Sequence, residues 1–501
     1  MSALEKIFAQ AADRTAVFVG SEEITYDQLC ADVRSMACWL VGNGLEPGMR
    51  VELFAERLRT PSYWDWIMHL GAIQAGLVHS TGALPPQLVR TGAVGRKQAV
   101  VGHLDQWQPT PGFSGKKLRF NPQSLAPLAK QIDIPDGGVP LDRREEHAGR
   151  ILMTSGTTGI PKLVMWSSAI IAGRLAQLRE AGGIDASTRL ISGLGFPTTA
   201  GFRNPIAVWQ AGGSVILSHP GDTPEATQKA FEMSNLIVSS SLYLRTLLEA
   251  MKGQKLPDKQ GRILKMFGGR LPQSLRNSAL EQIADRIILS YGSTETGSIA
   301  TGDASLVDRH PGAVGFALPG VEVEVTGPGA VPQPAGKEGL VRIKSDVMCQ
   351  NYVVGPSSGG RAPFRDGWFY TGDLGIIFED GMIAVTGRMS DTINVEGIKL
   401  SAVNIETKLA TLPEIDDICV LSAQLEKQDT LAVTLVCRND VDLKKMRGRV
   451  ASFLPPNTRF VLVRVSELPR NAMGKIMRIP LTAKVTKIIQ ANQQQPQRVD
   501  A

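Results

Sequence analysis

Ile151-Leu152-Met153-Thr154-Ser155-Gly156-Thr157-Thr158-Gly159-Ile160-Pro161-Lys162 is the stretch on which the reading of this chain turns. The apolar run Ile151-Leu152-Met153 predicts a strand, and a flexible, hydroxyl-rich loop ending in a lysine follows it. Small hydroxyl side chains beside Gly156 and Gly159 give a backbone that can wrap an anion with N–H and O–H donors. Lys162 adds a point charge. The segment reads as a grip for a nucleotide polyphosphate. It is not a P-loop, because the glycine spacing and the residue after the lysine differ from G-x-x-x-x-G-K-[ST]. Taken alone, such a Gly-Ser-Thr cluster is as readily an ordinary loop.

The rest of the composition is that of an enzyme handling small anions. At 501 residues the chain exceeds one compact domain. A net charge of +6, spread along the sequence, gives no argument for nucleic acid. Cys30, Cys38, Cys349, Cys419 and Cys437 form no C-x-x-C pair, and their odd number implies no disulfide framework. With no secretion signal and no membrane span expected, a cytoplasmic location is expected.

Helical and strand patterns alternate through the first part. Helices are predicted over Tyr26–Val41, Trp64–Ala75, Ser167–Gly182 and Leu242–Met251, and strands over Arg50–Phe54, Ser214–Leu217 and Leu236–Val238. From Val321 the pattern turns to short β segments: Val321–Val325, Leu340–Ile343, Gly375–Phe378 and Met382–Val385. After Arg388 a separate module is expected. It has a helix from Ser401 to Leu409, strands at Cys419–Leu421, Leu431–Val436 and Arg459–Val465, and an amphipathic helix over Asp442–Leu454. The glutamine-rich tail from Gln490 is expected to be disordered.

Ordered motifs follow the opening loop. They are Tyr291-Gly292-Ser293-Thr294-Glu295-Thr296-Gly297, Tyr370-Thr371-Gly372-Asp373, Gly387-Arg388 ahead of Asp391 and Asn394-Val395-Glu396-Gly397, and Pro469-Arg470-Asn471-Ala472-Met473-Gly474-Lys475. Together they resemble the adenylate-forming superfamily of acyl-CoA synthetases, peptide-synthetase adenylation domains and luciferases, from roughly Ala16 to Pro480.

That resemblance implies an α/β fold. A large multi-subdomain N-terminal domain (1–388) combines two layered α/β sheets with a β-barrel-like part, and a small mobile α+β C-terminal domain (389–485) precedes a polar tail (486–501). It also implies a two-step reaction. A carboxylic acid is activated by ATP as an acyl-adenylate with release of pyrophosphate, and the acyl group then passes to a second nucleophile, usually a thiol. The implied roles follow from that chemistry. Thr154, Ser155, Gly156, Thr157, Thr158, Gly159 and Lys162 hold the β- and γ-phosphates, and Thr294 donates to the α-phosphate. Glu295 helps bind Mg²⁺, Asp373 accepts from the ribose hydroxyls, and Arg388 lies near ribose and phosphate. Gly268, Gly269, Arg270, Tyr291 and Gly292 belong to the adenine side. Lys475 carries adenylation, as a mobile cation between carboxylate and α-phosphate oxygens. Gly397 lines the acceptor channel and Ser390 is the domain hinge.

The acyl pocket is expected around Phe196, Thr198, Ser239 and Gly268, although Phe196 equally suits a plain core position. No acidic residue occurs between Ile191 and Gln210, which argues against a free α-amino acid as acyl donor. The lining reads as apolar with hydroxyls, as for a neutral alkyl, alicyclic or aryl acid. Three positions depart from the family. Arg270 replaces Ala or Ser, with either its backbone alone or its cation in use. Ser390 replaces Asp or Lys, and Ser241 stands where proline is common. The acceptor is left as CoA, a separate carrier protein, or an amine as in a stand-alone amide synthetase similar to coronafacate ligase. A non-catalytic nucleotide- or acyl-binding protein is the alternative of another class, against which Lys475, Glu295 and Asp373 together argue.

Overall fold

A computed structural model describes residues 4–56, 61–82, 84, 97–104, 113–122, 144–154, 162–217, 223–252, 258–259, 261–353, 362–395, 398–410, 412–425, 428–437, 441–456, 458–470 and 476–494. A fourteen-stranded sheet and a six-stranded sheet form the larger part of the molecule. In the large sheet, Thr15–Val19, Ser214–Ile216, Arg189–Ser192, Leu236–Ser239, Ile263–Met266 and Arg286–Ser293 run parallel in that spatial order. The strands Leu190–Ile191, Ile237–Val238 and Leu264 contribute are buried on both faces, as parallel strands covered by helices should be.

At Arg286–Ser293 the sheet changes character. That strand turns back on Gly297–Asp303, and the antiparallel strands Ala313–Ala317, Ile383–Arg388, Trp368–Ile377, Gly339–Ser345 and Val321–Thr326 continue outward. The second sheet runs Lys116–Arg119, Lys97–Gly102, Arg50–Phe54, Val78–Thr81, Gly149–Thr154 and Lys162–Ser167, its last pair antiparallel. One apolar core serves both sheets, with Trp66, Phe196, Phe202 and Trp209 within it. The Thr199–Gln210 helix is buried on every side from Ala200 onward, so it is an interior element rather than a surface one.

The residues after Arg388 form their own sheets, the Thr392–Val395 and Ile398–Ser401 hairpin and the three-stranded Ile415–Leu425, Gln428–Cys437 and Phe460–Arg464. Two further core clusters lie here. The expectation of disorder from Gln490 is corrected as far as Gln494, and residues 495–501 lie outside the described residues. The last helix, Arg478–Gln494, runs through residue 485 and includes Gln490. Leu481, Val485 and Ile489, four residues apart, pack into the core beneath Cys419 and Leu421 and carry the helix forward despite its glutamines. All five cysteines are buried, and none forms a disulfide among the described residues. Among the described residues no helix is long and apolar enough to cross a membrane.

Candidate active site

The opening stretch becomes a β-hairpin. Thr154 ends one strand and Lys162 begins the next, directly opposite in register. The intervening residues Ser155, Gly156, Thr157, Thr158 and Gly159, expected to hold phosphates, lie outside the described residues. The Lys162 ammonium sits 4.7 Å from the centre of the Tyr352 ring. On the other end of that side chain, the Tyr352 hydroxyl donates to Glu295 Oε1 at 2.8 Å. Tyr352 thus brings the loop lysine and the expected magnesium ligand to one place, a role the sequence did not disclose.

Thr294 and Glu295 occupy the tip of the hairpin between Arg286–Ser293 and Gly297–Asp303. The tip is closed by Thr296 N–H donating to Ser293 Oγ at 3.2 Å and by Gly297 at φ +79°. Gly292 serves the same turn, since a Cβ there would lie 2.1 Å from the Gly297 carbonyl oxygen. Arg174 holds this tip from inside. Its guanidinium donates to the backbone oxygens of Val347 (2.7 Å), Thr294 (3.1 Å) and Glu295 (2.7 Å). It stacks over Trp166, whose indole N–H also donates to Thr294 O at 3.1 Å. Burial pulls the Arg174 pKa down to about 10, which leaves it protonated. The sequence carried a signal for it. Arg174 lies on the same helical face as Ile171, Leu175 and Leu178, where an arginine is buried or out of place.

Tyr291, Asp373 and Arg388 form a continuous network. Asp373 and Arg388 are cross-strand partners, and Arg388 Nε donates to Asp373 Oδ1 at 2.6 Å. The Tyr291 hydroxyl donates to Asp373 Oδ2 at 2.6 Å. Burial, reinforced by the Asp373 charge, drives the Tyr291 pKa far above its usual value, so the phenol stays a donor. Both carboxylate oxygens of Asp373 are therefore held in fixed directions.

Gly268 (φ +89°), Gly269 and Arg270 form an exposed loop beyond the carboxyl end of Ile263–Met266. Ser241, where proline is common, donates its hydroxyl to the Arg270 carbonyl at 3.0 Å and ties this loop to the Ser241–Ala250 helix. The Arg270 carbonyl is thus engaged within the fold, while its exposed side chain feels the charge of Glu406 in the C-terminal part.

Phe196, Thr198 and Ser239, named for the acyl side, are engaged within the fold. The Phe196 ring has no exposed surface and packs on Trp66 (4.5 Å) and His69 (4.1 Å), so it is core. Its carbonyl accepts from the buried Arg150 at 2.6 Å, which fixes the turn instead. The Thr198 hydroxyl is committed to capping the Thr199–Gln210 helix, accepting from Gly201 N–H at 2.8 Å. Ser239 is fully buried and donates to the Ser240 carbonyl. Arg203 on this helix and Lys265 on Ile263–Met266 are buried cations that the sequence reading passed over. Ser390 lies in the short Met389–Asp391 turn, and Gly397 and Lys475 fall outside the described residues.

For magnesium, no cluster of three or more acidic, His or Cys side chains occurs among the described residues. One carboxylate, Glu295, with a single hydroxyl donor, fits an ion that takes most of its oxygens from substrate phosphates and water.

The family model described as AMP-binding enzyme matches residues 98–353. A medium-chain fatty-acid–CoA ligase of Escherichia coli is 26% identical over 92% of this chain and 86% of its own length. A 2-succinylbenzoate–CoA ligase of Bacillus cereus is 25% identical over 95% of this chain and 97% of its own. The fold matches the crystal structure of ATP-bound MatB from Rhodopseudomonas palustris, with TM-score 0.78 and 24% identity over 98% of this chain and 100% of that one.

Proposed function

We propose that this chain, which belongs to the AMP-binding enzyme family of the adenylate-forming superfamily, activates a carboxylic acid with ATP and passes the acyl group to a thiol, with CoA the first choice of acceptor. The observation that carries the reading is the meeting of Lys162 and Glu295 about Tyr352. A phosphate-binding cation and an oxygen ligand are set one side chain apart, as a metal-complexed polyphosphate requires. The CoA-ligase names of the relatives support the acceptor.

In the first step an acid carboxylate oxygen attacks the α-phosphorus of ATP. The bond to the β-phosphate oxygen breaks, and pyrophosphate leaves with the bonding pair. Lys162 and the loop before it hold the leaving phosphates, and Thr294 donates to the α-phosphate. Glu295 would hold Mg²⁺, which when bound neutralises polyphosphate charge. Asp373, aimed by Tyr291 and Arg388, receives the ribose hydroxyls. Lys475 bridges the carboxylate and α-phosphate oxygens as charge moves between them. In the second step the thiol sulfur attacks the acyl carbon, the bond to AMP breaks, and the thiol proton passes to solvent. Rotation of 389–485 about Ser390 replaces Lys475 with the Gly397 side of that domain, where the acceptor arm enters.

The test incubates the protein with ATP, Mg²⁺, a panel of acids, and either CoA or an amino-acid mixture, and identifies products by mass. Acyl-CoA with AMP and pyrophosphate is expected. Acyl amides without thioester would assign the acceptor to amines, and absence of AMP with every acid would contradict the proposal.

A further inference from the structure

Two buried cations, Arg203 and Lys265, have no counter-ion among the described residues. Arg203, on the all-buried Thr199–Gln210 helix, is 2% exposed, and Lys265 is 6% exposed. Arg203 Nη2 donates to Ser298 Oγ at 3.0 Å, and Nε reaches Thr199 O only at 3.4 Å. Its Nη1 is buried with no hydrogen-bond partner. That Nη1 points at Gly297, where a Cβ would lie 3.4 Å from it. Arg174 neighbours the same glycine, but each of its three nitrogens already donates to a backbone carbonyl.

Lys265 faces the same side. Its register partner Val238 belongs to the core around Phe202 and Ile206, whereas Leu264 and Met266 on either side of it belong to the opposite one. The charge felt at Lys265 is that of Arg203, and the charge felt at Arg203 is that of Arg174, each repulsive. Neither Arg203 nor Lys265 forms an ion pair among the described residues. Lys265 is next to last on its strand, at the carboxyl edge of the parallel sheet, where ligands of α/β folds are received. Two adjacent buried cations without an anion are costly, and an anionic ligand removes that cost.

We propose that the acid activated here carries a second carboxylate, which sits between Arg203 Nη1 and Lys265 Nζ while the first is presented to ATP. This rests on the adenylation reading above, and it replaces the neutral acid expected from the sequence. The test measures kcat/KM for pyrophosphate release with acids paired by size: butanoate against succinate, pentanoate against glutarate, benzoate against isophthalate. In the wild type the best diacid should exceed its monoacid partner by roughly ten- to hundredfold, as one charge-assisted pairing allows. That ratio should fall toward one in Arg203→Met and in Lys265→Met, each checked for folding by circular dichroism. The wild-type comparison stands even if a variant does not fold. Monoacids equal to or better than their diacids would overturn the inference and leave adenylation standing. Equal losses for both members of a pair in folded variants would also overturn it. Turnover of no acid at all would overturn both.

Discussion

Replacing Arg174 with methionine tests whether the Thr294–Glu295 hairpin tip is held from within. The variant removes three donations to backbone oxygens, those of Val347, Thr294 and Glu295, besides a long one to the Cys349 sulfur. At roughly 1.5–3 kcal/mol for each charged hydrogen bond, the gross loss is about 5–9 kcal/mol. Two effects reduce it. Thr294 O keeps the Trp166 indole and Glu295 O keeps the Cys349 amide, so only the Val347 oxygen is orphaned. The cost of burying the guanidinium, expressed in its fall from 12.5 to about 10, is also relieved, by about 3 kcal/mol. The net loss is therefore roughly 2–5 kcal/mol, read as the shift in a urea unfolding curve followed by circular dichroism. Because the same bonds aim Glu295, the magnesium concentration for half-maximal pyrophosphate release should rise as well. Arg174→Lys keeps the charge but not the three-way fork, and should recover only part of each effect. A stability within about 0.5 kcal/mol of wild type, with an unchanged magnesium requirement, would refute the reasoning.

The Lys265 ammonium, pushed down to about 8 mainly by burial and then by Arg203, titrates below its unfolded value of 10.5. The unfolded chain binds more protons between these values, so stability should rise as pH goes from 8 to 10.5, by at most about 3 kcal/mol. Lys265→Met should flatten that rise, and urea curves across the range read it. Tyr291→Phe frees one oxygen of Asp373 and should raise the KM for ATP by about tenfold, with little change in the KM of the acid, in steady-state assays. Ser390→Pro should slow acyl transfer more than pyrophosphate release, since the turn at Met389–Asp391 must rotate for the second step alone. Equal loss in both steps, measured separately in single-turnover experiments, would count against the hinge.

Much of the scaffold was readable because its strands are short apolar runs and most helices show one apolar stripe. Leu236–Ser239 and Tyr26–Gly42 are of this kind. The Glu22–Thr25 edge strand was not, since its exposed glutamates carry no burial pattern. Nor was the Thr199–Gln210 helix, which is buried all round and so has no polar face to set a period. The same blindness hid Arg203 within it. Tyr291, Asp373 and Arg388 were put forward together by their motifs, and the fold joins them in one hydrogen-bonded network. Tyr352 and Lys265 were not legible, because what matters is their partner across the fold or the lack of one. A sequence shows that a residue is charged; only the packing shows that it is buried and facing a carbonyl, a carboxylate or another cation.

Acid-dependent exchange of radiolabelled pyrophosphate into ATP tests the central claim most directly, because it reports reversible formation of the acyl-adenylate without any acceptor. Wild-type protein should show exchange only when the acid and Mg²⁺ are both present, and Lys475→Ala should lose it while still binding ATP by calorimetry. Exchange that is independent of acid, absent with every acid in the panel, or undiminished in Lys475→Ala would contradict the account.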